Sequence, residues 1–141
     1  MGYRPGKILQ VDWPVTIPVP ADGGKWEDVR IRVTFQVMRR SEVDAFYQDI
    51  RQEPLRPEGM NDADWSKLQA NHIKRLQAAQ VIFLRKVVVG WPANAGIEDA
   101  DRQPLPFSAE ALDAMLDDVF VAKAMDAAYV EMVNGGARRG N

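Results

Sequence analysis

The 141-residue chain contains no cysteine, a single histidine and three serines. The missing thiols exclude disulfides, thiolate zinc sites and cysteine nucleophiles, and nothing indicates an oxidising compartment. No signal-peptide-like segment is expected at the polar N-terminus, and the longest nearly apolar run, residues 81–89, is too short to span a bilayer. We therefore expect a soluble protein with a single domain over residues 1–141, since this length can bury a core without cross-links.

The few side chains that could act as nucleophile or base form no catalytic pattern. Ser66 and His72 would lie six positions apart on one helix and point to different faces. His72 has no neighbouring histidine or cysteine and lies on an apolar stripe, which is typical of a boundary residue rather than a metal ligand or general base. We therefore predict no catalytic residue and no enzyme activity.

Charge is scarce overall, with a formal net charge of −2, but it is unevenly distributed. Residues 94–134 hold nine acidic side chains and two basic ones, which argues against a nucleic-acid surface there. Arg30 and Arg32 are interpreted as a solvated strand face, because the aromatic side chain that could stack on bases, Phe35, should point inward. We predict neither a nucleic-acid nor a membrane partner.

The acidic turn that follows Gly96 partly matches the template of a calcium-binding loop. Four of its residues fit template positions 1, 3, 5 and 12, namely Asp99, Asp101, Gln103 and Glu110. The sharp turn at position 6 needs glycine, but this chain has Pro104. We therefore predict no metal and no other cofactor, and expect these carboxylates to be solvated or to cap backbone amides.

The N-terminal part predicts an antiparallel β-hairpin over residues 7–39. Apolar and polar residues alternate from Val29 to Val37, as in a strand with one buried face. The Asp22-Gly23-Gly24 sequence supplies a turn before this strand. The preceding β-rich segment should lie at an edge of the sheet or be broken, because three of its residues cannot donate ladder hydrogen bonds: Pro14, Pro18 and Pro20.

Four helices are predicted after the hairpin, at about residues 41–52, 62–89, 108–117 and 118–133. Ser41 and Ser108 are interpreted as N-caps, and Pro54 and Gly90 as the ends of the first two helices. Residues 81–89 contain five β-branched residues and also fit a buried strand, so periodicity alone does not decide. The tail at 137–141 is expected to be disordered. The predicted fold class is α+β, with an N-terminal antiparallel β-hairpin packed on a C-terminal bundle of about four helices.

The last predicted helix is apolar at twelve of its sixteen positions. Such a narrow polar face indicates either the central helix of the bundle or a surface offered to a partner. Its candidate partner-binding residues are Phe120, Met125, Tyr129 and Met132, since aromatic side chains and flexible methionines suit a tolerant binding surface. Trp91 is the remaining candidate, because tryptophan is frequent in interface hot spots, although it could instead lock the turn onto the long helix.

Residues 90–108 resemble the tail assembly chaperones of long-tailed bacteriophages and prophages. In that family a glycine-tryptophan ends a long helix, an acidic turn follows, and a leucine-proline-phenylalanine-serine step opens two final helices. The positions that carry the resemblance are Gly90, Trp91, Gly96, Leu105, Pro106, Phe107 and Ser108. This chain has Arg102 where such turns usually carry a glycine. The resemblance favours a helix for residues 81–89.

The resemblance implies an assembly factor in the cytoplasm of the bacterial host rather than an enzyme. Such chaperones bind the tape measure protein and keep it soluble, without ATP, until tail tube subunits polymerise around it. The tail tube protein, a longer frameshifted form of the chain and further copies of the chain are additional implied partners. Two alternatives stay open: a structural virion component, such as a tail terminator or head–tail joining protein, and a small metal-dependent hydrolase acting through the acidic turn.

Overall fold

The computed structural model describes residues 2–48, 50 and 52–135. The predicted disordered tail at 137–141 lies outside these residues. The elements, in chain order, are β1 (Gln10–Ala21), β2 (Lys25–Gln36), α1 (Arg40–Tyr47), α2 (Asp62–Val87), β3 (Val88–Gly90), α3 (Ala109–Leu116) and α4 (Val119–Asn134). A three-stranded antiparallel sheet with the hairpin first, together with four helices, confirms the predicted α+β class.

The chain forms two compact units. One contains the residues up to Val37 and those from Leu84 onward, and the other contains Met38–Phe83. In the second unit, the rings of Phe46, Tyr47 and Phe83 form an aromatic cluster with centroids 5.0–5.9 Å apart. The expectation of a single domain stays a prediction.

The hairpin pairs without interruption from Gln10↔Gln36 to Ala21↔Lys25. Its turn contains Gly23 and Gly24, whose φ angles of +80° and +73° favour glycine. The register explains how β1 accommodates its prolines. Arg32, the partner of Pro14, directs its N–H away from β1 to the carbonyl of Ala95, at 2.9 Å. Pro14 therefore belongs to a non-hydrogen-bonded pair.

The other two prolines of β1, Pro18 and Pro20, lie an even number of positions from Pro14, so all three nitrogens face the free edge of the sheet. β1 is thus an unbroken edge strand, which is one of the two predicted alternatives. Prolines at this edge also prevent ladder hydrogen bonds with an added strand.

The main core lies between the sheet and α4. Val15, Val33, Phe35 and Met125 are fully buried there. The ring of Tyr129 meets that of Phe35 edge-on, with centroids 5.6 Å apart. Each fully buried side chain of this size contributes about 1.5–3 kcal/mol, so this layer supplies much of the stability of its unit.

The prediction for the first helix, residues 41–52 with Ser41 as its N-cap, is wrong in both its length and its N-cap. α1 begins at Arg40, the N-cap position is Arg39 without a side-chain hydrogen bond, and Ser41 lies inside the helix. The helix ends at Tyr47, not at residue 52. None of its residues is buried, and a helix without an extensive packed face gains little by adding turns.

Residues 81–89 contain both of the structures that the sequence left open. α2 continues to Val87, and Val88–Gly90 then form β3 beside Thr34 and Phe35 of β2. The predicted helix end at residue 89, with Gly90 as its terminator, is therefore wrong. The exposed edge of β2 supplies ladder partners at this point, and β-branched valines suit a pleated, buried surface. No helix in the described part of the chain is long and apolar enough to cross a membrane.

Candidate functional site

The loop between β3 and α3, residues 91–107, is anchored by Trp91. This side chain is 9% exposed, and its indole N–H donates to the carbonyl oxygen of Leu105 at 2.7 Å. The indole also meets the ring of Phe107 edge-on, with centroids 4.8 Å apart. One side chain thus joins the two ends of the loop. These contacts hold the turn by joining its own ends rather than by a bond to the long helix, and a partner-binding role for Trp91 stays a prediction.

The 91–107 loop is also attached to the middle of β2. The carbonyl oxygen of Ala95 accepts from the N–H of Arg32, and the Arg32 guanidinium donates to Asn94 Oδ1 at 2.6 Å. Gly96 has a φ of +84°, and a Cβ built there would lie 2.9 Å from the carbonyl oxygen of Arg30. The glycine of the motif is therefore required both by its backbone conformation and by the close approach of β2.

The acidic turn is held together by its own carboxylate. Asp99 Oδ1 accepts from the backbone N–H groups of Asp101 and Gln103, each at 2.9 Å. Arg102 has a φ of +61° and is the one non-glycine residue with positive φ among residues 2–48, 50 and 52–135. This left-handed residue occupies the position where the family resemblance leads one to expect a glycine.

The Asp99 carboxylate caps backbone amides, as the sequence analysis expected for this turn. In the part of the chain that the structure describes, no group of three or more histidine, aspartate or glutamate side chains is arranged to hold a metal ion. Ser108 Oγ accepts from the N–H of Ala111 at 3.0 Å, which confirms that Ser108 is the N-cap of α3.

Two of the predicted partner-binding residues on α4 belong to the core. Met125 is fully buried and Tyr129 is 5% exposed, and both lie on the face that covers the sheet. Phe120 and Met132 are half-buried. The structure therefore brings the four candidates onto one helix but not onto one exposed surface.

The exposed face of α4 is also apolar, and its residues were not among the candidates. Val119, Val130 and Val133 are 51%, 45% and 46% exposed. With about 100° of rotation per residue, they and exposed Ala127 fall within about a third of the helix circumference. We call these four residues the outer face of α4. Charged residues nearby, Lys123, Asp126 and Glu131, could have identified this side from the sequence, since charges avoid the core.

The N-terminal end of α4 meets the end of the hairpin, residues 18–29, which we call the hairpin tip. The rings of Trp26 and Phe120 are in edge contact, with centroids 6.0 Å apart. Trp26 is 61% exposed, whereas Ile31, further along the same strand, is buried. Trp26 was not predicted as a site residue, because tryptophans of small domains usually belong to the core.

Ser66 and His72, the residues considered for catalysis, both lie on α2. Ser66 is exposed and His72 is half-buried, six positions apart on α2, and Ser108 is engaged as a helix cap. Arg32, considered for nucleic-acid contact, is engaged with Asn94. The two features that stand out are a loop fixed to the sheet and an apolar surface formed by α4 and the hairpin tip.

A family model described as phage tail assembly chaperone matches residues 10–141, from the first residue of β1 onward. No curated protein matches the chain. No solved structure matches it either.

Proposed function

The chain belongs to the phage tail assembly chaperone family, and we propose that it binds the tape measure protein and keeps it soluble while the tail tube assembles. The family implies tail proteins as partners. The observation that supports shielding of a client is the outer face of α4, whose three valines stay exposed beside Lys123 and Asp126 although the opposite face already completes the core. Apolar side chains grouped at the surface are typical of sites that bind other proteins.

The mechanism that we propose is passive and uses no ATP. An apolar ridge on an exposed helix can pack against the apolar stripe of a client helix and exclude water from both. Each valine of the outer face is about half exposed, so covering it contributes on the order of 1 kcal/mol. Several such contacts together are needed to overcome the entropy cost of association. A surface of this kind binds amphipathic helices reversibly rather than permanently.

Phe120 extends the proposed surface, because its side chain remains partly exposed beside the outer face, whereas Met132 lies on the opposite side of α4. Met125, Tyr129 and Trp91 support it from inside the fold and would contact a client directly only if α4 or the 91–107 loop moved. We also propose that the protein acts in the cytoplasm of the bacterial host. The tail tube protein, a longer frameshifted form and further copies of the chain remain proposed partners.

The proposal is tested by co-expressing the chain with the tape measure protein of the same phage or prophage and measuring the soluble fraction of the client. The double variant Val130→Asp/Val133→Asp places two carboxylates on the outer face. We expect client binding to weaken by about 10- to 100-fold, because two apolar contacts are lost and two charges must be desolvated. The soluble client fraction should fall accordingly.

The matched control is Ile73→Asp, which changes a similarly exposed apolar residue on α2. We expect this variant to solubilise the client like the unmodified chain. The proposal is wrong if the folded double variant still keeps the tape measure protein fully soluble. Mass spectrometry of purified virions addresses the structural alternative, because a chaperone should be absent from the particles and a joining protein present.

A further inference from the structure

The surface where the hairpin tip meets α4 combines exposed apolar side chains with an excess of acidic ones. We propose that it receives a cationic amphipathic helix of the client, with lysine or arginine residues beside an apolar stripe. The inference rests on the proposed function, because it specifies the chemistry of the segment that the chaperone binds.

The apolar part of this surface is formed by two elements. Trp26 on β2 and Phe120 on α4 are in contact, and Val119 lies beside Phe120 at the start of the helix. The outer face of α4 runs from this point to Val133 near the C-terminus of the helix, with Lys123 and Asp126 between its apolar residues. The resulting ridge is sixteen residues long at most, which suits the side of another helix rather than a small ligand.

A helix fits this place better than an added strand. The edge of β1 contains three prolines that cannot donate ladder hydrogen bonds. On the other edge of the sheet, the 91–107 loop bonds to β2 at Arg32, and β3 pairs with Thr34 and Phe35. An added strand is thus hindered along β1 and from Arg32 onward in β2, which favours recognition through side-chain packing.

The charges around this surface favour a positively charged partner. The hairpin tip contains three acidic residues, Asp22, Glu27 and Asp28, and one base, Lys25. Residues 117–134 contain four acidic residues, Asp117, Asp118, Asp126 and Glu131, and one base, Lys123. Both elements are thus acidic, and like charges on a partner would be repelled.

The exposed indole of Trp26 provides a second and independent preference for a cation. The face of a tryptophan ring attracts lysine and arginine side chains through its quadrupole. Phe120 contacts Trp26 edge-on at 77° and leaves the indole 61% exposed. Asp28 lies two positions from Trp26 on the same face of β2 and Arg30 two positions further, so the nearer charged neighbour of a cation over the indole on this face would be a carboxylate.

The test uses two synthetic amphipathic helical peptides with the same apolar stripe, one with lysines on its flanks and one with glutamates. We expect the full chain to bind the lysine peptide at least about tenfold more tightly than the glutamate peptide, with the preference decreasing as salt is raised. Trp26→Ala should weaken binding of the lysine peptide by about tenfold. Glu27→Lys/Asp28→Lys should reduce or invert the preference between the peptides.

The matched control is Glu58→Lys/Asp64→Lys, which changes the net charge equally at exposed positions elsewhere. This control should keep the preference. The inference is overturned if neither peptide binds, if both bind equally, or if the control lowers the preference as much as the hairpin-tip variant does. In those cases the client-solubility experiment with Val130→Asp/Val133→Asp still decides the proposed function separately.

Discussion

The 91–107 loop and the hairpin tip both lie at the periphery of one sheet, and each contains a tryptophan and a glycine with positive φ. In the loop, Trp91 is almost completely buried and bonded to Leu105, and Gly96 lies against the backbone of β2. In the tip, Trp26 is largely exposed, and a Cβ added to Gly23 would meet nothing within 4 Å. The same residue types therefore serve internal structure in one region and remain available to a partner in the other.

Backbone hydrogen bonds explain why these regions differ. The loop satisfies its polar groups through bonds to β2, through the Asp99 carboxylate and through the Ile97 carbonyl, which accepts from Leu105 N–H. Its conformation is fixed by contacts that a partner would have to break. The hairpin tip needs only its own strand pairing, so its side chains can change partners without loss of the fold.

The two regions should differ most in the stability that each loses when its tryptophan is replaced by alanine. Trp91→Ala should lower the free energy of unfolding by about 3–5 kcal/mol, because it removes a buried ring and leaves the Leu105 carbonyl without its donor. Trp26→Ala should cost less than about 1 kcal/mol, since most of its ring is already exposed. Urea denaturation followed by circular dichroism measures both values. Equal losses would show that the hairpin tip is as tightly packed as the loop.

A smaller difference in stability is expected when Gly96 of the loop and Gly23 of the hairpin tip are each replaced by alanine. Gly96→Ala should cost about 2–4 kcal/mol, because the new Cβ adds a clash with the Arg30 carbonyl to the strain of a left-handed backbone. Gly23→Ala should cost about 1–2 kcal/mol, since only the backbone strain applies. Thermal unfolding under identical conditions compares the two variants. If both lose the same stability, the close approach of the loop to β2 is not a significant constraint.

The sequence predicted those parts of the fold whose signal is local. Alternation from Val29 onward, glycines in the turn and prolines in the edge strand identified the hairpin, and Ser108 identified the start of α3. β3 was missed because a three-residue strand depends on an available edge of β2, which only the folded sheet provides. The end of α1 was missed for a similar reason, because its length depends on packing rather than on Pro54.

The orientation of α4 was the main difficulty for the candidate site. A helix that is apolar on nearly all sides gives little indication of which face meets the core. Met125 and Tyr129 face the sheet, while Val130 faces outward, although all three are apolar. Only the positions of the few charged residues distinguish the faces. Trp26 was missed because its exposure, with a ring contact to Phe120, depends on tertiary packing that the local sequence does not contain.

The smallest expected effect concerns the turn residue that departs from the family resemblance. Arg102 has a φ of +61°, a conformation that costs a residue with a Cβ about 1–2 kcal/mol. Glycine avoids this strain but loses about 0.5–1 kcal/mol through the greater freedom of the unfolded chain. Arg102→Gly should therefore stabilise the protein by about 0.5–1 kcal/mol, seen as a higher urea midpoint with an unchanged slope. Asp101→Gly, one position earlier and without positive φ, should destabilise instead. A loss of stability in Arg102→Gly would mean that the arginine side chain contributes contacts that outweigh the backbone strain.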